Sequence, residues 1–139
     1  MNSAFVIDSS VALTWLFKDE ATMRTNELLE RLNSDSAVVP AWWYVELTNV
    51  IALAERKGRI TPAQTATFIE ELSKFDIDID AEAPGRAFTH LLSLCRAYHL
   101  TSYDAIYLDL AMRRQLPLAT LDEPLRKAAK KVGVKVLGS

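Results

Sequence analysis

The sequence predicts an α/β fold in which a small, mainly parallel sheet is sandwiched between helices. Two observations carry that expectation. Short apolar runs alternate with longer helical patterns from end to end, and no Asn-Gly or similar hairpin signal joins any two strands. The 139 residues suit one domain built on one core, taken here as residues 1–139. Half of the residues are hydrophobic and 24% are charged, an ordinary globular composition.

Ala4-Phe5-Val6-Ile7 is an unbroken apolar run, the pattern of a strand buried on both faces. It stops at Asp8, and Val11 to Phe17 reads as a helix that Ser9 or Ser10 would N-cap. Thr22 to Asn33 is amphipathic, with Leu28, Leu29 and Leu32 inward. Ala37-Val38-Val39 is a short strand closed by Pro40, which can also start the next helix, from about Ala41 to Lys57. Gly58 is a good residue to end it. Thr61-Pro62 opens a helix to about Lys74. Phe75 to Asp80 alternates Ile77 and Ile79 with three aspartates, which predicts an edge strand with one wet face. Pro84 opens a helix to about Tyr98, and Thr101-Ser102 caps another from Tyr103 to about Gln115. Leu116 to Thr120 is a strand with Pro117 near its start. Glu123 to Val132 is a helix ending at Gly133, and Val134 to Leu137 is a last strand.

Several classes drop out on composition. Cys95 is the only cysteine and there are two histidines, so a disulfide framework and a zinc cage are both excluded. No stretch approaches the ~20 apolar residues of a membrane span. Asp8 arrives too early for a secretory leader, so a cytoplasmic location with no membrane partner is expected. The net charge of -2 neither advertises nor excludes a nucleic-acid binder.

Four acids stand in places that ask for an explanation. Asp8 ends the first strand, at the sheet edge where α/β proteins build their sites. Glu46 shares a helix face with Trp42, Trp43, Asn49, Val50 and Leu53, so it interrupts an apolar stripe. A core-edge glutamate satisfied by an arginine or a backbone group is the competing explanation. Asp104 shares its face with Tyr107, Leu108 and Ala111, while Asp109 and Arg113 fall on the far side and Asp109 reads as a surface residue. A first-turn aspartate favoured by the helix dipole is the alternative for Asp104. Asp122 follows the Leu116–Thr120 strand, where it also makes a good N-cap. Four carboxylates on one edge raise one another's pKa unless a cation joins them. Hard oxygen donors suit Mg²⁺ or Mn²⁺, and the matching chemistry is phosphodiester hydrolysis by a metal-activated water.

The motifs Val6-Ile7-Asp8-Ser9-Ser10, Pro40 to Glu46-Leu47, Tyr103-Asp104-Ala105-Ile106-Tyr107-Leu108 and Leu118-Ala119-Thr120-Leu121-Asp122 resemble those of PIN-domain ribonucleases. Among these the chain most resembles the VapC toxins of VapBC toxin–antitoxin modules, over its whole length. The resemblance implies a PIN-like three-layer α/β/α sandwich. It implies an acidic quartet of Asp8, Glu46, Asp104 and Asp122 holding Mg²⁺ or Mn²⁺, with Ser10 and Thr120 as pocket-lining hydroxyls. It further implies endoribonuclease activity on RNA, inhibition by a VapB-type antitoxin, a homodimer, and DNA contact only through the antitoxin.

Other features carry weaker expectations. Arg126, Lys127 and Lys130, with Lys131 and Lys135, form a basic segment that is either a solvated face or a set of RNA phosphate contacts. Arg86, Arg96 and Arg113-Arg114 are lesser candidates for the same role. Trp42 and Trp43 offer rings for base stacking, against core or dimer packing. Trp15, Leu16 and Phe17 with Leu28, Leu29 and Leu32 form either core or a groove for an antitoxin helix. Three other functions compete with endoribonuclease activity. A phosphoreceiver needs an aspartate after a middle strand, where Pro40-Ala41 stands, and a lysine after a late strand, where Leu121-Asp122 stands. A haloacid-dehalogenase-type phosphatase needs an aspartate at position 10, which is Ser10. A catalytically idle PIN fold acting as a binding partner is opposed by the intact quartet.

Overall fold

In the computed structural model, which describes residues 3–139, five strands form one parallel sheet in the order β3-β2-β1-β4-β5. They are β1 (Ala4–Ile7), β2 (Ser36–Pro40), β3 (Ile77–Asp80), β4 (Leu118–Ala119) and β5 (Val136–Leu137). Val6 is the central register point, paired with Val38 on one side and Leu118 on the other. Phe5, Val6 and Ile7 are almost completely buried, as the unbroken apolar run predicts for a middle strand covered on both faces. The chain leaves β1 toward β2 and β3 and later returns to its other side with β4. The crevice beyond Ile7 and Ala119 is therefore the switch point of the sheet.

The helices are α1 (Ser9–Leu16), α2 (Met23–Arg31), α3 (Trp42–Arg56), α4 (Pro62–Ser73), a single turn α5 (Ala83–Arg86), α6 (Leu92–Tyr98), α7 (Ser102–Arg114) and α8 (Glu123–Lys131). They cover the sheet on both faces in three α/β/α layers. Their ends follow local chemistry. Thr61 and Gln64 form a capping box at α4. Gly58 and Gly133 take positive φ just past α3 and α8. There the amides of Arg59 and Val134 reach back to the carbonyls of Ala54 and Ala129, closing Schellman motifs.

Several expectations are corrected. The cap of α1 is Asp8 rather than a serine: its side chain accepts from the Val11 amide, and Ser9 and Ser10 are the first helical residues. Pro40 closes β2, and α3 starts two residues later without a side-chain cap. The edge strand turns its aspartate inward, with Asp80 buried and Ile79 half exposed. The reason is ionic: Arg113 and Arg114 both bind Asp80. The helix expected over 84–98 is interrupted at Ala87–Leu91 by a wider π-helical turn, directly after Arg86, which two hydrogen bonds fix to Asp109. Trp15, Leu16, Phe17, Leu28 and Leu32 are core, with Leu29 partly buried against them. The Trp15 indole N–H donates to the Thr25 carbonyl, and the Arg59 guanidinium covers the Phe17 ring. Among the described residues no helix is long and apolar enough to cross a membrane.

Candidate functional site

The site is built outward from Asp8, which is 4% exposed. Its backbone amide donates to the Ala119 carbonyl, so β1 and β4 hold it at the switch point. One carboxylate oxygen accepts from the Ser10 hydroxyl at 2.6 Å and from the Val11 amide at 3.2 Å. The other accepts from the Thr120 hydroxyl. Both hydroxyls also reach the β4–α8 loop. Ser10 Oγ accepts from the Leu121 amide at 2.9 Å, and Thr120 Oγ1 from the Asp122 amide at 3.0 Å. Asp8 is thus tied through two side chains to the loop that carries Asp122. Asp122 caps α8 through the Leu125 amide at 3.1 Å, so its structural role is real and leaves its second oxygen unengaged.

Asp104 sits in the first turn of α7, where Thr101 caps the helix by accepting from the Asp104 amide. Among the described residues its carboxylate meets no basic side chain, and the Thr101 hydroxyl is the neighbour that favours its ionised form. Tyr107, one turn on and buried, donates its hydroxyl to Glu46 of α3. The face of α3 expected to be buried around Glu46 is displaced. Trp43, Leu47 and Ala54 are the buried residues, Asn49 and Leu53 are exposed, and Glu46 lies at the boundary between the two. Tyr107 was not singled out from the sequence. Its signal was there in the i, i+3 spacing that puts it beside Asp104 on a buried face.

The four acids act on one another. Burial, with a smaller push from Glu46, raises the Asp8 carboxyl to about 6 in spite of its three donors. Burial, then the charges of Asp122 and Asp8, raises Asp104 to about 6. Burial also raises Glu46, with the Tyr107 hydroxyl opposing and Asp104 adding to the rise. Tyr107 itself is pushed up by burial and by its bond to Glu46. Among the described residues no basic side chain forms a salt bridge with this group. Arg126, the nearest cation in sequence, donates to the Thr120 carbonyl at 3.0 Å and is largely covered, so it braces the loop. Lys127 and Lys130 remain exposed on α8.

Among the described residues no three His, Cys, Asp or Glu side chains converge closely enough to hold one ion by themselves. Mg²⁺ commonly takes only one or two carboxylates, completing its shell with water and substrate phosphate. An all-oxygen donor set whose acids resist ionisation when metal-free fits such an ion, because a divalent cation supplies the missing countercharge.

A different acid group confirms what pairing looks like in this molecule. Asp109, expected on the surface, is 4% exposed and takes two hydrogen bonds from Arg86 and one from Arg113. Asp80 takes bonds from Arg113 and Arg114. The arginines expected as spare phosphate contacts at 86, 113 and 114 are therefore committed within the fold. A cavity of about 760 Å³ lies beside them, lined by Phe88, Leu94, Tyr98 and Met112, and contains none of the four acids.

Residues 5–131 match the model of the PIN domain family. The chain belongs to the PIN domain family. Among solved structures, this PIN domain superposes on PAE2754 from Pyrobaculum aerophilum with a TM-score of 0.70 at 20% identity, covering 96% of this chain and 83% of that one. FitAcB from Neisseria gonorrhoeae gives 0.63 at 18% identity, over 95% of each chain. VapBC2 from Rickettsia felis, bound to a DNA fragment from their promoter, gives 0.64 at 11% identity over 96% of each. At such identities the likeness concerns the fold. No curated protein matches the PIN domain significantly by sequence.

Proposed function

We propose that this PIN domain is a divalent-cation-dependent endoribonuclease and the toxin of a type II toxin–antitoxin module. The observation that carries the proposal is the state of Asp8 and Asp104. Two aspartates at the sheet's switch point are lifted to about 6, face further acids, and have no basic partner. A stability-driven site would pair them, as Asp80 and Asp109 are paired. The PIN family supports hydrolysis of a nucleic acid, and the toxin–antitoxin complexes among its structural relatives support an antitoxin partner.

In this reading Asp8, Glu46, Asp104 and Asp122 hold Mg²⁺ or Mn²⁺, which lowers the pKa of a bound water and offsets charge on the scissile phosphate. The chain's own contribution is placement. Ser10 and Thr120 fix both oxygens of Asp8 and tie them to the Asp122 loop. Tyr107 holds Glu46 in one rotamer. Asp104, without a basic partner, is left to meet the cation. Lys127 and Lys130 lie on the helix capped by Asp122, where they would meet RNA phosphates without reading sequence.

The competing reading is a PIN fold that only binds a partner, and it draws on the absence of a three-ligand cluster among the described residues. The two separate in one experiment. Purified protein with labelled RNA is assayed in Mg²⁺, Mn²⁺ and EDTA, beside Asp8→Asn. Cleavage that needs the cation and disappears in Asp8→Asn supports the nuclease. Cleavage unchanged by EDTA or by the substitution refutes the assigned quartet. Induction in cells should arrest growth, and Asp8→Asn should relieve the arrest.

A further inference from the structure

Trp42 and Tyr103 stand at the first turns of α3 and α7, the helices that carry Glu46 and Asp104. Their rings are stacked, with centroids 5.0 Å apart and planes within 12°. Tyr103 is nevertheless 52% exposed. One face of its ring lies on the indole, so the exposed surface is its other face and edge. Trp42 is half-buried. Its indole N–H is buried with no hydrogen-bond partner, yet lies close enough to Glu46 to favour the ionised carboxylate. Other aromatic rings are placed differently: Trp43 and Tyr107 are core, Phe5 and Phe17 are covered by arginines, Tyr44 is exposed but edge-on to Trp43, and the exposed Phe88 lies beside the cavity that holds none of the four acids. Tyr103 is the ring held flat, backed by a second ring, and left open next to the acids.

We infer that the Tyr103 face, supported by Trp42, is a stacking platform for one unpaired nucleobase of the RNA, beside the phosphate held at the acidic site. The inference rests on the nuclease reading and adds the substrate feature it recognises: a single-stranded or looped base, taken by its π-face. Two stacked rings extend by a third at little cost in order, since the first pair is already immobilised. Every base has a π-face, so the platform selects an unstacked nucleotide more than a particular sequence. A duplex, whose bases are already stacked, has nothing to offer it.

The test uses single-stranded RNA oligomers with 2-aminopurine placed at successive positions, in Ca²⁺ so that binding is read without turnover. Wild-type protein should quench the reporter at one position. Tyr103→Leu should lose that quenching and bind about 10-fold more weakly. Tyr103→Phe should restore both, and an abasic nucleotide at the quenched position should weaken wild type and leave Tyr103→Leu unaffected. Quenching at no position, Tyr103→Leu binding like wild type, or equal sensitivity of both proteins to the abasic site would overturn the platform. So would a Tyr103→Leu protein that keeps its RNA affinity and loses only its affinity for the antitoxin. The nuclease reading is scored separately by Mg²⁺-dependent cleavage. Wild type that quenches without cleaving upholds the platform and sinks the nuclease. Wild type that cleaves without quenching does the reverse.

Discussion

Asp80 and Asp109 are as deeply buried as Asp8, and all lie against the same small sheet and its helix α7. Their surroundings are opposite. Asp80 and Asp109 receive three guanidinium groups, and the arginines around them hold both carboxyls below the usual range despite burial. Asp8 receives two hydroxyls and an amide, all neutral, and Asp104 has the neutral Thr101 hydroxyl against the charges of Asp122 and Asp8. Burial is common to both groups, so it does not decide their charge state. Arginine does. The paired group stabilises the protein when ionised, and the unpaired group opposes folding when ionised. Only the second has an unmet demand for positive charge, and that makes it the candidate site.

The largest way to break this contrast is to remove Arg113, which bridges both paired acids. Arg113→Ala removes one of the two arginines at each buried carboxylate, leaving Arg86 on Asp109 and Arg114 on Asp80, and should cost about 1.5–3 kcal/mol, read as a lowered denaturant midpoint at neutral pH. At the other group, Asp104→Asn removes a charge that nothing pairs. It should lower cation-dependent RNA cleavage by about 10²–10³-fold while leaving the metal-free protein at least as stable, measured by initial rates and by unfolding in EDTA.

The pH dependences should run in opposite directions. Asp8 has a folded pKa of about 6 against an ordinary 3.8, so the native state binds the proton more tightly than the unfolded chain does. Its contribution is favourable below about 4 and is lost as pH rises through 6. The loss is at most about 3 kcal/mol in metal-free protein, at about 1.4 kcal/mol per pH unit. Asp8→Asn should flatten that fall, and Mg²⁺ should reverse it in the wild type. Asp80 and Asp109 have lowered values, so their stabilisation is present above 4 and disappears only as pH falls below the ordinary carboxylate range. Urea midpoints across this range in EDTA separate the two groups. A smaller effect concerns the end of α7, where Gln115 takes a φ of 55°. Gln115→Gly should stabilise by about 1 kcal/mol or less and leave cleavage unchanged.

What the sequence disclosed follows from which signals are local. The β1 run ending at Asp8, the Thr61-Pro62 and Thr101 helix starts and the strand–helix alternation read correctly because a few neighbouring residues determine them, whereas the starts placed at Ser9 or Ser10 and at Pro40 are displaced. Asp104 stood out because its i+3, i+4 and i+7 neighbours are apolar, and they are indeed buried. Asp109 was misplaced by the same logic. Periodicity assumes that a helix has one wet side, and α7 is packed by the sheet on one side and by α6 and the π-helical turn on the other. Glu46 was singled out from a face whose Asn49 and Leu53 turned out exposed, since aromatic residues on two sides of α3 blur its period. The inward turn of Asp80 depends on Arg113 and Arg114, more than thirty residues away, and no local pattern encodes that.

The Thr120 hydroxyl, which donates to Asp8 and accepts from the Asp122 amide, joins positions 112 residues apart. During synthesis the first strand and its aspartate emerge more than a hundred residues before the loop that completes their surroundings. A nascent chain therefore holds Asp8 and Glu46 for that interval without Thr120 or Asp122. If the acids cut RNA, the order of the strands delays the cutting centre: it closes only after β4 has followed the rest of the inner sheet out of the ribosome.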